Sequence, residues 1–335
     1  MSNKTLVISG GSGNEALVTA LVDKKKDFNI LLNLYDNGKS TGICREITDT
    51  LGVSDARKNQ FRLYKLLHKD NLDDNLVKFY SSRIDINSKE DIYKFLEDCK
   101  LTIFNKYIDE FFNIEKAKNY EYKDFSIVNI IYSILFKKIG YKETLQFFSI
   151  MLDIPNNIYI NSLVNAYIAA ITEDNKLITD EGDIVEYKNP DDKIKDIMYA
   201  SIINEKYKDL DIDAINEIKN SDTIIISTGT FWSSIYPTLQ FNNLYDYINE
   251  SNAKKIWIMN SEEDKDSYGV SSNEFIERFE KLGLDLSDFI IVENLDATSS
   301  LQEHNNKYNI KYYHLGNNNG KNDSDLLAKV VDELC

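Results

Sequence analysis

KTLVISGGSGNEALVTALVDKKKDFNILLNL, residues 4–34, predicts a βαβ unit. Residues 4–9 are typical of a short buried strand, and the glycine turn Gly10-Gly11-Ser12-Gly13 leads into a helix capped by Asn14. Residues 28–34 predict the second strand. Because a crossover of this kind joins parallel strands, both strands end at the same edge of the sheet. Ligands of open α/β sheets bind at that edge, so the loops after both strands are candidates for a site.

The rest of the chain returns to the same alternation after a helical interruption. Residues 70–159 are rich in Tyr, Phe and Lys and predict a mainly helical insertion or cap. Further strands are predicted at 163–172, 176–179 and 183–187, as a meander, and at 223–227, 255–260, 289–293 and 312–315, with helices between them, one at 211–220. We therefore predict an α/β fold with a mostly parallel sheet, helices on both faces, a core of residues 1–69 and 160–335, and a helical insertion at 70–159.

Composition indicates a globular protein and narrows its partners. The 335 residues are 42% hydrophobic and carry a net charge of −16, which argues against non-specific binding to nucleic acid. The three cysteines, Cys44, Cys99 and Cys335, suggest neither a disulfide framework nor a thiolate metal cluster. No apolar stretch approaches the roughly 20 residues of a membrane span. We expect a cytoplasmic protein without nucleic-acid or membrane partners, in which an anionic ligand needs a local pocket of cations and backbone N–H groups.

A polar run, Asp36-Asn37-Gly38-Lys39-Ser40-Thr41-Gly42, follows the second predicted strand. Asp36 is a candidate ligand for a divalent cation, and the hydroxyls of Ser40 and Thr41 are candidate donors to a phosphate. The run does not match the phosphate loop of nucleotide triphosphatases, because Asn33 stands where that loop needs a glycine. The alternative interpretation is an Asp-Asn-Gly surface turn without a ligand.

A second polar stretch, residues 51–59, predicts a loop that opens a helix capped by Ser54 or Asp55. Arg57 and Lys58 would then lie in the first turn of the helix, where the helix dipole disfavours cations by about a few tenths of a kcal/mol. A bound anion would offset that cost.

Two further turns also have the composition of anion sites. Gly10-Gly11-Ser12-Gly13 and Thr228-Gly229-Thr230 each follow a predicted strand, and their backbone N–H groups could face a phosphate or a sugar. Glycine turns of this kind serve the fold about as often as a ligand. The aromatic residues after Thr230 are predicted to pack in the core.

Taken in order, these stretches resemble the motifs of one family, the 2-phospho-L-lactate transferases and the related gluconeogenesis factor proteins. The corresponding segments are GGSG at 10–13, DNGKSTG at 36–42, VSDARKN at 53–59, SIVN at 126–129, DE at 180–181, STGTFWSSIYPTL at 227–239 and EEDKDSYGVSSNEF at 262–275. This chain departs from the family pattern at three places. Asn37 replaces a second aspartate, Lys39 replaces a glycine, and Ser227-Thr228 replaces a Gly-Pro pair.

The resemblance implies a Rossmann-like sheet and a nucleotide or nucleotide-like phosphate ligand. In the transferase branch it implies Mg²⁺-assisted transfer of a phospholactyl group from a guanosine diphosphate donor to a hydroxyl. Asp36 matches the family's metal and acceptor residue, and Asp36 and Asp55 are the predicted catalytic residues. The residues assigned to phosphate or nucleotide binding are Gly10, Gly11, Ser12, Gly13, Asn14, Asn37, Gly38, Lys39, Ser40, Thr41, Gly42, Arg57, Asn59, Asn129, Thr228, Gly229, Thr230 and Ser234.

Three functions remain open from the sequence. The first is a Mg²⁺-assisted transferase that moves a nucleotide-activated phosphoester to a hydroxyl acceptor. The second, implied by the gluconeogenesis factor branch, is a non-catalytic binder of a nucleotide sugar or dinucleotide that regulates carbon or cell-envelope metabolism. The third is a domain that has lost the ligand and acts on a protein through its helical insertion. The resemblance also implies a homodimer.

Overall fold

The computed structural model describes residues 3–201, 209–260, 265–295, 307–316 and 322–335. Its strands are β1 Lys4–Ile8, β2 Asp27–Leu32, β3 Ile84–Ile86, β4 Tyr122–Phe125, β5 Ile158–Ile160, β6 Ala166–Thr172, β7 Leu177–Ile178, β8 Ile194–Ser201, β9 Thr223–Ile226, β10 Lys254–Ile258, β11 Phe289–Asn294 and β12 Asn309–Tyr313. Its α-helices are α1 Glu15–Asp23, α2 Lys39–Thr48, α3 Ser54–Leu67, α4 Asp74–Ser81, α5 Lys89–Asp98, α6 Asn105–Phe112, α7 Ile127–Ile139, α8 Tyr141–Leu152, α9 Glu181–Glu186, α10 Ile212–Asn220, α11 Tyr236–Gln240, α12 Leu244–Glu250, α13 Ser272–Leu282 and α14 Ser324–Leu334.

Internal contacts divide the chain into two compact units. The first unit comprises Met1–Asn33, Asn157–Val164 and Ile168–Cys335, and the second comprises Leu34–Asn156 and Asn165–Tyr167. The second unit contains most of the predicted insertion together with residues 34–69. Because this division follows contacts alone, the predicted domain boundaries stay predictions.

A seven-stranded parallel sheet forms the centre of the first unit. Its strand order is β12-β11-β10-β9-β1-β2-β5, and every neighbouring pair is parallel. The predicted βαβ unit is confirmed, with Val7 opposite Ile30 in the register of β1 and β2. The central strands read as continuous apolar runs because helices cover both faces, and Leu6, Val7 and Ile8 are fully buried. The predicted α/β class with a mostly parallel sheet is therefore correct.

Two elements of the first unit differ from the prediction. The edge strand β5 was not predicted, because three residues are too few for a pattern to indicate a strand. Residues 183–187 were predicted to be a third meander strand, and this was wrong because Glu181–Glu186 form α9. The Asp180 side chain accepts a hydrogen bond from the Gly182 N–H at 2.8 Å and so caps a helix there. The strand that completes the three-stranded sheet is β8.

The second unit packs seven helices, α2 to α8, and the short antiparallel pair of β3 and β4. Helix α7 is its central element, since ten consecutive residues, from Ile127 to Phe136, are buried. Tyr132 of α7 stacks on Phe148 of α8 with ring centroids 3.7 Å apart. Among the residues described, no helix is both long and apolar enough to cross a membrane.

Candidate functional site

The turns after β1 and β9 touch each other in the first unit, where the strand order places these two strands side by side. From this pair the chain continues to opposite sides of the sheet, to β2 in one direction and to β10 in the other, which makes it a topological switch point. A Cβ added to Gly13 would lie 2.5 Å from the Cα of Gly229, so only glycine allows the backbones to approach this closely. The Thr228 hydroxyl donates a 2.6 Å hydrogen bond to the Gly13 carbonyl. The two predicted turns therefore form one polar surface.

Asn260 fixes the second of these turns and was missed by the sequence analysis. Its Oδ1 accepts from the Gly229 N–H at 3.2 Å, and its Nδ2 donates to the Gly229 carbonyl at 2.9 Å. Asn260 lies two residues after the end of β10 and is the last residue of the strand predicted at 255–260. A polar residue at the end of an apolar strand was therefore the signal that could have found it. The paired bonds hold the Gly229 peptide in one orientation.

Hydroxyl groups cluster just after Gly229. The Thr230 and Ser234 hydroxyl oxygens lie 2.8 Å apart, and the Ser233 hydroxyl donates to Thr230 Oγ1 at 2.6 Å. Ser233 and Ser234 lie on a π-helical turn, Phe231–Ile235, whose N-cap is Thr230. This conformation is rare and is frequent at functional sites. Asn33, the residue after β2, donates from its Nδ2 to the Ser234 carbonyl at 2.9 Å.

Asp266 supports this π-helical turn from the segment that resembles the family's acidic loop. The carboxylate is only 3% exposed, and one oxygen accepts from the Trp232 N–H at 2.9 Å. The first residues of that resemblance, 262–264, lie outside the described residues. Asp266 thus takes the place of a helix cap for a turn that carries the predicted site residue Ser234 and directly follows Thr230.

We expect Asp266→Ala to destabilise the protein by about 1–3 kcal/mol, since the buried Trp232 N–H would lose a charged acceptor. The free energy of unfolding from urea titration and the hydrogen-exchange rate of the Trp232 amide would measure the change. Asp266→Asn keeps an acceptor oxygen and should lose less. Equal losses in the two variants would show that the hydrogen bond is not what stabilises the turn.

The Asp36 loop opens the second unit with an Asx turn. Asp36 Oδ1 accepts from the Gly38 N–H at 2.9 Å, and Gly38 is the N-cap of α2. Lys39, which stands where the resembled family has glycine, adopts a left-handed φ of +48° and has an exposed side chain. Left-handed backbone at a non-glycine residue is unfavourable and tends to occur at functional sites.

Arg45 holds the Asp36 loop from beneath and was also missed by the sequence analysis. Its side chain is completely buried on α2 and stacks 4.0 Å over the Tyr167 ring. The two terminal nitrogens donate four hydrogen bonds, to the carbonyls of Tyr35, Asp36 and Ala166 and to the Asn165 amide oxygen. A buried guanidinium that binds loop carbonyls fixes backbone geometry rather than a ligand.

Two glycines bring the backbone close to this loop from other directions. A Cβ on Gly42 would lie 2.2 Å from the Asn37 carbonyl oxygen, and a Cβ on Gly52 would lie 2.5 Å from the Asp36 carbonyl oxygen. The Gly52 N–H also donates to the Leu34 carbonyl at 2.9 Å. The loop that carries Asp36 is therefore held in place before any ligand binds.

Polar groups from α7 and from the residue that precedes β3 reach the start of α2. Asn129 Nδ2 donates to Ser40 Oγ at 3.0 Å and to Thr41 Oγ1 at 3.3 Å, so three predicted binding residues do meet. Arg83, which the sequence analysis missed, lies 3.5 Å from Ser40 Oγ and pairs with Asp124 at 3.0 Å. Within the described residues, Asn37 Oδ1 and Asn129 Oδ1 are buried without a hydrogen-bond partner. Such orphaned acceptors call for an occupant.

Helix α3 supplies a carboxylate and an ammonium next to Asp36. The predicted cap at Ser54 or Asp55 is wrong, because the helix begins at Ser54 and the fully buried Val53 is its N-cap. Asp55 pairs with Lys58 at 3.3 Å. Burial raises the pKa of the Asp55 carboxyl and Asp36 raises it further, while Lys58 opposes both. Burial lowers the pKa of Lys58, but the carboxylates of Asp55 and Asp36 outweigh it and raise that pKa overall.

Arg57 is a buried cation without an ion pair to any residue that the structure describes. It is 8% exposed, and Nη1 donates to the Tyr80 carbonyl at 3.0 Å. Its Nε is buried and has no hydrogen-bond partner in the described chain. Burial lowers the pKa of the Arg57 guanidinium and the charge of Arg83 lowers it further, while Tyr132, Tyr80 and Asp36 partly oppose this. A buried charge left in this state is unfavourable unless an anion joins it.

The predicted site residues divide between the two units. Gly10, Gly11, Ser12, Gly13, Asn14, Thr228, Gly229, Thr230 and Ser234 belong to the first unit, and Asp36 to Gly42, Asp55, Arg57, Asn59 and Asn129 belong to the second. Asn14 is the N-cap of α1 but makes no capping hydrogen bond with its side chain. Asn59 donates to the Asp55 carbonyl at 2.9 Å and accepts from Arg62 at 3.1 Å, so its amide is engaged within α3.

Comparison with known proteins identifies the family of this chain. The family model of 2-phospho-L-lactate transferase CofD matches residues 5–331. A gluconeogenesis factor, so described, from Thermotoga maritima is 23% identical over 98% of this chain and 92% of its own length. A protein of the same description from Aquifex aeolicus is 29% identical, over 48% of this chain and 47% of that protein.

A crystal structure of a UPF0052 family member from Bacillus halodurans matches the fold. Its TM-score is 0.73 at 15% identity, over 99% of each chain. This likeness supports the α/β architecture, while the family model accounts for nearly the whole sequence. The chain belongs to the 2-phospho-L-lactate transferase CofD family.

Proposed function

We propose that this protein binds a nucleotide-type phosphorylated metabolite and transfers its phosphorus-containing group to a hydroxyl acceptor. The observation that carries the proposal is Arg57, a buried guanidinium that forms no ion pair with any described residue and whose Nε has no hydrogen-bond partner among them. A phosphate oxygen is the partner for which a guanidinium is best suited.

The residues around Arg57 add further cations and polar groups that suit a phosphate. Arg83 adds a second guanidinium, and Ser40 and Asn129 add polar groups near it. The exposed Lys39 at the N-terminus of α2 supplies another cation, in the first turn of a helix where backbone N–H groups are available. Transfer at phosphorus depends mainly on charge neutralisation and positioning, which these groups supply without covalent participation.

Asp36 is the proposed general base and the proposed Mg²⁺ ligand. No group of three His, Cys, Asp or Glu side chains suited to a metal occurs in the described part of the chain. Mg²⁺ needs only one or two carboxylates when phosphate oxygens complete its shell, so Asp36 fits this ion. When bound, Mg²⁺ would neutralise charge on the phosphate. Asp36 itself would accept the proton of the acceptor hydroxyl.

The second candidate is a regulator that binds a nucleotide sugar or dinucleotide without turnover. Asn37 favours it, because the family's second aspartate is absent and one negative charge is lost from the metal site. The relatives described as gluconeogenesis factors also agree with it. A homodimer, which the family resemblance implies, is part of either proposal.

Calorimetric titration with GDP, UDP-N-acetylglucosamine and NADH, each with and without Mg²⁺, distinguishes the two functions. Mg²⁺-dependent binding of GDP supports the transferase. Binding of the UDP-sugar or NADH without dependence on Mg²⁺ supports the regulator. No binding of any of the three would contradict both.

Asp36→Asn is expected to remove the Mg²⁺ enhancement of GDP binding and to leave Mg²⁺-free binding equal or up to several-fold tighter. Asparagine keeps the acceptor for the Gly38 N–H and deletes only the charge that repels a phosphate. Calorimetric titration with GDP, in the presence and in the absence of Mg²⁺, measures both affinities. Retention of the Mg²⁺ effect in this variant would rule out Asp36 as the metal ligand.

A further inference from the structure

A cavity of about 710 Å³ lies in the first unit, bordered by β8, the start of α10 and the junction of α11 and α12. None of the residues assigned above to phosphate, nucleotide or metal binding lines it. Its size lies within the range of small-molecule pockets. It is therefore separate from the site already described.

Aromatic rings build the apolar wall of this cavity. Tyr199, Phe241 and Tyr247 line it together with aliphatic side chains. Tyr199 is fixed in place, because its hydroxyl donates to the Pro237 carbonyl at 2.7 Å and its ring meets Phe241 edge-to-face at 5.3 Å. Phe241 is only 1% exposed, so the partly exposed rings of Tyr199 and Tyr247 form the preformed surface on which the C–H face of a ligand can pack.

Uncharged amides and one carboxylate form the polar part of the wall. Asp209, Gln240, Asn242 and Asn243 line the cavity, and no Lys, Arg or His of the described chain is among its lining residues. Gln240 is held by a 3.0 Å hydrogen bond from its Nε2 to Asp196. The Gln240 Oε1 atom has no hydrogen-bond partner in the described residues. The described part of the lining is therefore rich in acceptors and holds no cation that could bind a phosphate.

The backbone at the edge of the cavity is unusual. Asn242 and Asn243 are consecutive residues with left-handed φ values of +45° and +56°. Asparagine tolerates this conformation better than most residues, but two in succession are rare and persist where surrounding structure or function requires them. They place two amide side chains next to the aromatic wall.

We propose that this cavity binds a neutral polyhydroxylated ring, a monosaccharide. Sugar hydroxyls both donate and accept, so they match Asp209, which only accepts, as well as the amides, which do both. The apolar face of a sugar ring suits the tyrosine rings. A phosphorylated sugar is disfavoured by the carboxylate, which no cation accompanies among the described lining residues.

Ligand-observed saturation-transfer NMR with glucose, galactose, mannose and ribose tests the proposal. Glucose 6-phosphate is included as a phosphorylated sugar and uridine as a nucleoside, to test whether the cavity prefers either of these ligand classes. At least one neutral sugar is expected to bind with a millimolar dissociation constant, and glucose 6-phosphate at least tenfold more weakly. The double variant Asn242→Gly/Asn243→Gly removes both amides while glycine keeps the left-handed backbone without strain. It should lose at least tenfold in sugar affinity and remain folded by circular dichroism.

Asn175→Gly is the matched control, since Asn175 is also left-handed, at +64°, but lies in the turn between β6 and β7 outside the cavity. This control should bind the sugar as the native protein does. Three outcomes would overturn the proposal: no neutral sugar binds, the double variant binds equally well, or uridine binds and the sugars do not.

Discussion

The Arg57→Met protein is expected to resist urea better than the native protein and to lose at least about 30-fold in affinity for GDP. The two effects have one cause. Without ligand, the guanidinium of Arg57 is buried without an ion pair to any described residue, and replacing such a charge by an apolar side chain of similar length often stabilises a protein by about 1 kcal/mol or more. With a phosphate present, truncating a buried charged partner costs about 2–5 kcal/mol of binding.

One interaction opposes the gain in stability. The Tyr80 carbonyl would lose the hydrogen bond that it accepts from Arg57 at 3.0 Å, at a cost of about 1 kcal/mol. We expect the removal of the uncompensated charge to outweigh this loss. Urea titration of the free protein and calorimetry with GDP measure the two quantities separately.

Arg278→Met provides the matched control. Arg278 is also largely buried, but it has partners: Glu173 at 3.6 Å, the Lys195 carbonyl at 3.1 Å and the Trp232 ring at 4.9 Å. Its replacement should lower stability. If Arg57→Met lowered stability as much as Arg278→Met does, Arg57 would be a structural arginine, and the main support for a phosphate ligand would be gone.

Most of the arginines of this chain lie in the second unit, near the Asp36 loop. Of the five arginines, Arg45, Arg57, Arg62 and Arg83 belong to the second unit and Arg278 to the first. Arg45 fixes the carbonyls beneath Asp36, and Arg57 and Arg83 lie close enough for each charge to affect the other. Repulsion between the buried guanidinium of Arg57 and the more exposed guanidinium of Arg83 is unfavourable in the free protein. A bound anion would convert it into attraction at both.

Much of the sheet could be predicted because its signals are local. A run such as Thr223–Ile226 is long enough and apolar enough to indicate a buried strand, and the glycine turn after β1 identified the edge where polar loops gather. The prediction of a meander strand at 183–187 was wrong, because a single capping carboxylate, that of Asp180, decides between helix and strand there. β5 was missed, since three residues owe their pairing to β2 rather than to any pattern of their own.

The candidate site was predictable where its residues are adjacent in sequence and not where they meet through the fold. Asp36 to Gly42 were proposed from one polar run. Arg83, by contrast, contacts Ser40 from 43 residues away, and Arg45 reaches Asn165 across 120. Asn260 binds Gly229 across 31 residues. No spacing rule links such pairs, so only the folded chain shows which polar residues serve the same loop.

Gly42→Ala should be the most destabilising small substitution in the Asp36 loop region, at about 2–4 kcal/mol. Alanine normally stabilises a helix by about 1 kcal/mol relative to glycine, and Gly42 lies within α2. At this position alanine should destabilise instead, because the added Cβ would lie 2.2 Å from the Asn37 carbonyl oxygen. This oxygen is a backbone atom and cannot move aside by rotation of a side chain. Relief requires the Asp36 loop to move, so GDP affinity should fall together with stability.

Gly182→Ala is the control, because it replaces another helical glycine by alanine where the added Cβ does not meet a backbone atom. Gly182 lies in α9, and the atom nearest to its added Cβ is a carboxylate oxygen of Asp180 at 3.0 Å, the end of a side chain that can rotate. Its change in unfolding free energy should stay within about 1 kcal/mol, and GDP affinity should not change. Urea titration and calorimetry compare the two variants directly. A Gly42→Ala protein that is as stable as Gly182→Ala would mean that α2 and the Asp36 loop can separate at little cost, and the loop could then not be the preorganised element on which the proposed chemistry depends.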